Sequence, residues 1–99
     1  MESSLNREKI NQTGADILES ADQMYNSLSR IKDLVDQSKN YFDSEAGESV
    51  RNKFTTSAEQ FEKFRADLKS YGEFLKIFSD NVIKFETSVQ DTVNSLPNL

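Results

Sequence analysis

The chain has 99 residues and contains no cysteine, no histidine and no tryptophan, with one proline and three glycines. Each shortage excludes something. Without cysteine there is no disulfide and no thiolate chemistry. Without histidine and cysteine, a zinc site would have to be built from carboxylates alone, which is rare. A Ser nucleophile would lack its usual base, and no glycine-rich elbow surrounds any serine. Gly14, Gly47 and Gly72 stand apart from one another, so no phosphate-binding loop is spelled. No apolar run approaches the ~20 residues of a membrane span. The opening residues, Met1-Glu2-Ser3-Ser4-Leu5-Asn6-Arg7-Glu8, lack the basic and then apolar regions of a signal peptide. The expectation is synthesis in the cytoplasm without general secretory export.

Positive charge is also short. Lys and Arg number 12 against 17 Asp and Glu, a net charge of -5. Nucleic acid is therefore a poor partner, because it rewards clustered Lys and Arg with counterion release. An anionic membrane surface is poor for the same reason. Hydrophobic residues make up 35% of the chain, which is low for a self-sufficient globule. The length allows one domain at most.

What is present is period. From Ile10 apolar and small residues recur in steps of four and three: Gly14, Ile17, Ala21, Met24, Leu28, Ile31, Val35, Ser38 and Phe42. A second run holds the same rhythm through Gly47, Val50, Phe54, Ser57, Phe61, Phe64, Leu68, Tyr71, Leu75, Phe78, Val82, Phe85, Val89, Thr92 and Leu96. These are heptad seams, each a narrow stripe that faces a partner helix. Between them lies Tyr41-Phe42-Asp43-Ser44-Glu45-Ala46-Gly47-Glu48. Asp43 or Ser44 is a good N-cap for the second helix. Glu45 and Glu48 place negative charge on its first turn, where the macrodipole favours it; this accounts for them better than a weak cation site. Ser3 or Ser4 can cap the first helix, and Pro97 stops the second.

The fold class expected is all-α: one antiparallel two-helix hairpin over residues 1–99, with helix one at about 4–41, a tip at 42–45 and helix two at about 45–96. Folding back between Phe42 and Asp43 pairs residues whose numbers sum to 85. Gly14 then faces Tyr71 and makes room for its ring, and Ala21 faces Phe64, interleaving small with large. Glu59, Glu62 and Asp67 alternate with Lys63, Arg65 and Lys69 as a solvated face.

Two features are left unpaired by this register. Leu18, Tyr25, Leu34, Phe74 and Ile77, with Ile83, lie off the seam. They are either scattered surface apolar residues or a second face for another chain, and a lone hairpin, having no closed core, favours the latter. Helix two also outruns helix one, so Val82, Phe85, Val89, Val93 and Leu96 form an apolar overhang. A partner chain, or a second copy, would complete a four-helix bundle. No cofactor, metal or catalytic residue is expected, and an enzyme is improbable.

The tip and its flanks resemble the Trp-x-Gly (WXG, or ESAT-like) family, small helix-turn-helix hairpins exported by type VII secretion systems. Phe42-Asp43-Ser44 stands where that family has Trp-x-Gly. Ala46 takes the small position that follows, and Val50 and Phe54 take the next apolar ones. The signature departs from the family at Phe42 and Ser44. The family's Tyr-x-x-x-Asp/Glu export motif is missing after helix two, where Phe85 is followed four residues later by Val89. Within the family the chain is most similar to the small helical partners of LXG toxins. The resemblance implies binding to a toxin's N-terminal helical region, help in presenting it to the secretion machinery, and export without a cleaved signal peptide. It implies no nucleic acid and no small-molecule substrate. Under it, Phe42, Asp43, Ser44 and Ala46 are the tip motif, Leu18, Tyr25, Leu34, Phe74 and Ile77 the partner interface, and Val82 to Leu96 an export tail. Two other readings stand beside it: a self-exported homodimeric effector of the same family, and an unrelated coiled-coil adaptor.

Overall fold

The structure, a computed structural model, describes residues 5–80 and 89–99. Among them every regular element is helical: α1 spans Arg7–Gln37, a 3-10 turn Ser38–Asn40, α2 Glu45–Asp80, and a short α3 Val89–Asn94. The long helices α1 and α2 run antiparallel. Arg7 at the start of α1 reaches the end of α2, donating to the carbonyls of Ser79 (2.6 Å) and Asp80 (3.3 Å). Arg51 near the start of α2 reaches the end of α1, donating to the Ser38 hydroxyl (3.3 Å) and the Phe42 carbonyl (3.0 Å).

The ends follow local chemistry. The cap of α1 is Asn6, whose side chain accepts from the Lys9 amide; Ser3 and Ser4 lie outside the described residues. The helix stops at Gln37, about a turn sooner than its apolar pattern suggests. There the Ser38 hydroxyl donates back to the Val35 carbonyl, and the amides of Tyr41 and Phe42 both turn onto the Ser38 carbonyl. Such tightening satisfies the orphan carbonyls of a helix end.

Of the two candidate caps for α2, Ser44 takes the role. Its hydroxyl accepts from the Gly47 amide at 3.2 Å. Asp43 and Ala46 are exposed, and Glu45 and Glu48 occupy the first turn. Phe42 is 39% exposed, and its Cγ lies 3.1 Å from where a Gly47 Cβ would be. What lies inside the tip is Gly47, where an added Cβ would overlap the Phe42 carbonyl.

The register also differs from the sum-to-85 pairing. Gly14 faces Gly72, not Tyr71. An ideal Cβ on Gly14 would sit 2.7 Å from the Gly72 carbonyl oxygen, and one on Gly72 would sit 2.9 Å from the Gly14 oxygen. The two backbones touch there, which only residues without a Cβ permit. The buried positions of the two long helices are all small: Gly14 and Ala21 on α1, and Gly47, Gly72 and Ser79 on α2. On α2 the line of closest approach therefore passes through Ala58, Arg65, Gly72 and Ser79, one residue beyond Ser57, Phe64, Tyr71 and Phe78 of the expected seam. The physical reason is that helices approach where side chains are smallest, and bulk is displaced to the flanks.

Ser79, the buried polar residue, is satisfied: its hydroxyl donates to the Lys76 carbonyl at 2.8 Å and lies 3.3 Å from the Asn11 side-chain oxygen. Arg65 is not on a solvated face. Its guanidinium lies over the Tyr25 ring, 4.3 Å from the centroid, and pairs with Asp22 at 3.1 Å and Glu62 at 3.9 Å.

The C-terminal end corrects the overhang. The Tyr71 hydroxyl donates to the Pro97 carbonyl at 2.5 Å. In one straight helix those residues would be about 39 Å apart at 1.5 Å per residue. The end of the chain therefore returns to α2 at Pro97. Val89 and Leu96 are half-buried and Val93 is exposed; Val82, Ile83 and Phe85 fall outside the described residues.

Candidate docking groove

Moving the line of closest approach onto small residues decides where the large ones go. On α1 the line runs through Gly14, Ala21 and Leu28. At 100° per residue, Ile17, Met24 and Ile31 fall on one flank of it and Leu18 and Tyr25 on the other. On α2, Phe61, Phe64 and Leu68 fall on the flank shared with Met24 and Ile31. These side chains were expected to meet in a closed seam. They border a trough instead.

The trough has a volume of about 450 Å³ and is lined by Ser20, Gln23, Met24, Ser27, Leu28, Ile31, Phe54 and Phe61. It is continued by a recess at Ser57, Gln60, Phe61 and Phe64, and by another at Thr13, Asp16, Ile17, Ser20 and Leu68. Phe61 is 53% exposed and Ile31 47%. The walls carry one charged residue, Asp16, at one end. From Ile17 to Ile31 the trough runs about 21 Å along α1, using 1.5 Å per residue.

This arrangement suits a helix better than a small molecule. A small-molecule site encloses most of its ligand and orients it with a few convergent polar groups. Here the floor is apolar, the rim is Ser and Gln, and the trough is open along its length. An amphipathic helix laid in a groove needs an apolar floor at helical spacing and little else. The hairpin also has apolar surface to spare: among the described residues Ala21 is the one buried apolar side chain, and no large side chain is fully buried. No cluster of carboxylates that could hold a metal ion occurs among the described residues, and no described helix is long and apolar enough to cross a membrane.

The five off-seam residues do not share one face. Leu18 belongs to the contact between the helices, with Cγ 2.9 Å from where a Gly72 Cβ would be. Tyr25 sits beneath Arg65 on the flank opposite the trough. Leu34 is exposed, one turn beyond Ile31. Phe74 is half-buried and stacks on Phe78, with ring centroids 5.9 Å apart. Ile77 is exposed on α2. The residues that do converge on an open face are Met24, Ile31, Phe54, Phe61 and Phe64. Their signal in the sequence was the line of small residues on α2, Ala58, Gly72 and Ser79 in heptad phase, one residue beyond Ser57, Tyr71 and Phe78, which marks the contact line.

No protein family model matches the chain, and neither a curated protein nor a solved structure is significantly similar to it.

Proposed function

We propose that the protein is a binding subunit whose trough receives an amphipathic helix of another protein's helical hairpin, so that the two hairpins together form a four-helix bundle. The observation that carries this reading is the open, nearly uncharged strip of Met24, Ile31, Phe54, Phe61 and Phe64 beside a hairpin with no closed core of its own. Burial of that strip would supply the apolar contact that the hairpin lacks, at about 25 cal/mol per Å² removed from water. The mechanism is association alone, with no covalent step.

The resemblance of the tip to the Trp-x-Gly family supplies the class of partner. It is the helical N-terminal region of a toxin exported by type VII secretion, with this protein accompanying or presenting it. The paired hairpins of that family have the helix count that an open trough on a two-helix hairpin calls for.

The test is light scattering on the purified protein, followed by co-expression with the product of the neighbouring gene. The expected result is a complex with a helical region of that product, lost when Phe61 is replaced by Asp. Central interface aromatics commonly carry 2 kcal/mol or more, so binding should weaken at least about 30-fold. Phe61 is half exposed in the hairpin alone, so F61D should leave the fold of the free chain intact by circular dichroism. A helical monomer that binds neither a second copy nor the neighbouring product refutes the proposal.

A further inference from the structure

The trough does not end where it stops being open. Ser57, Phe64, Tyr71 and Phe78 are spaced by seven and so form one line along α2. Ser57 and Phe64 border the open recess, whereas Tyr71 and Phe78 are half-buried. The chain's own C-terminal segment reaches that second half at Tyr71, whose hydroxyl donates to the Pro97 carbonyl. The segment has one inward face. Val89, Thr92, Leu96 and Pro97 are half-buried, while Gln90, Asp91, Val93, Asn94 and Ser95 are exposed.

We propose that residues 89–99 are a releasable strap that occupies the Tyr71–Phe78 end of the docking stripe, and that a helix filling the whole stripe displaces it. The competition rests on the docking reading above, but the strap itself does not. Its hold is weak by construction. α3 has six residues, too few to be stable as a helix without the surface beneath it, and only a few side chains of the segment face inward. Such segments open at low free energy while the rest of a protein stays folded. A partner contacting only Phe54 to Phe64 would leave the strap closed. A longer helix would need Tyr71 and Phe78 and would have to compete for them. The strap thus sets a minimum length, or a minimum affinity, for what the groove accepts.

Two measurements test this. Hydrogen exchange on the intact free chain should show the amides of residues 92–96 protected, and Tyr71→Phe should speed their exchange about five-fold, the factor that one ordinary hydrogen bond gives. Exchange there as fast as in an unfolded peptide overturns the strap whatever the groove binds. In the second measurement, a synthetic helix with Leu at the heptad a and d positions and Glu and Lys elsewhere is titrated into the full chain and into a chain ending at Ser88. A strap closed nine-tenths of the time lowers the apparent affinity about tenfold, so the shortened chain should bind about tenfold more tightly. Equal affinities with a protected strap overturn the competition. Failure of both chains to bind overturns the docking reading, and the competition with it, while the exchange result decides the strap separately.

Discussion

Replacing Gly14 with Ala tests the contact between the two helices directly. In an exposed helix interior that change stabilises by about 0.8–1.0 kcal/mol, because Gly loses more backbone freedom on folding. At Gly14 the new methyl would lie 2.7 Å from the Gly72 carbonyl oxygen, 2.9 Å from Lys76 Cγ and 3.1 Å from the Lys76 amide nitrogen. The lysine stem can swing aside, but the carbonyl and amide belong to the backbone of α2 and cannot. The helices must separate by most of an ångström at the place where they are closest. Overpacking of this kind costs about 1–3 kcal/mol, which outweighs the propensity gain. The expected net change is a loss of up to about 2 kcal/mol. For a domain of this size that lowers Tm by roughly 4–8 °C per kcal/mol, read by far-UV circular dichroism. Asn26→Ala, on the exposed side of α1, is the control for propensity and should be neutral or slightly stabilising. Gly72→Ala alone should also destabilise, since its methyl would meet the Gly14 oxygen at 2.9 Å and Leu18 Cγ at 2.9 Å. The double variant should cost less than the two single losses added, because one separation relieves both clashes. A rise in Tm for Gly14→Ala would refute the backbone contact and restore Gly14 as a pocket for a side chain.

Further outcomes follow from the tip and from Arg65. Ser44→Ala removes the cap on the Gly47 amide and should cost about 1 kcal/mol, whereas Ser44→Gly should cost only a few tenths; urea titration distinguishes them. Gly47→Ala should destabilise more than either, because its methyl would overlap a carbonyl in a turn that Arg51 also holds. Arg65→Met keeps the stem in the seam and removes a buried Nε that has no hydrogen-bond partner. Losing the stack on Tyr25 costs about 0.5–1 kcal/mol and losing the exposed pair with Asp22 up to about 1, against about 1–3 regained from the unpaired nitrogen. Its thermal midpoint should therefore be unchanged or higher, while Arg65→Ala, which empties the seam, should melt lower.

The readability of this chain follows from which physical rule governs each part. The tip is local. A serine at the cap, two acids in the first turn and a glycine inside it are chemistry within a few residues, so the start of α2, with Asp43 or Ser44 as its cap, was legible. The existence of two long helices was legible as well, since heptad period needs no partner to be counted. The contact line was not. Counting apolar residues assumes that the largest side chains meet, and here they flank a line of Gly14, Ala21, Gly72 and Ser79. The clue was available in Gly14, which the hairpin reading used as space for Tyr71 when it was space for the other backbone. The C-terminal segment was illegible for another reason. Val89, Thr92 and Leu96 keep heptad phase with α2, and phase does not report whether two in-phase pieces are collinear. The hydrogen bond from Tyr71 to Pro97 does.

The trough lies between two fixed points. At one end the backbones of Gly14 and Gly72 abut, and at the other Arg51 ties the Ser38 hydroxyl to the Phe42 carbonyl. Clamped at both ends, the walls have little freedom to spread or close, so the width offered to a visitor is set before it arrives. Such a receptor spends little ordering entropy on capture, which favours tight binding from a modest area. It also forgives little: a segment one ring too bulky finds walls that do not yield. Selection between visitors would then rest on shape more than on charge.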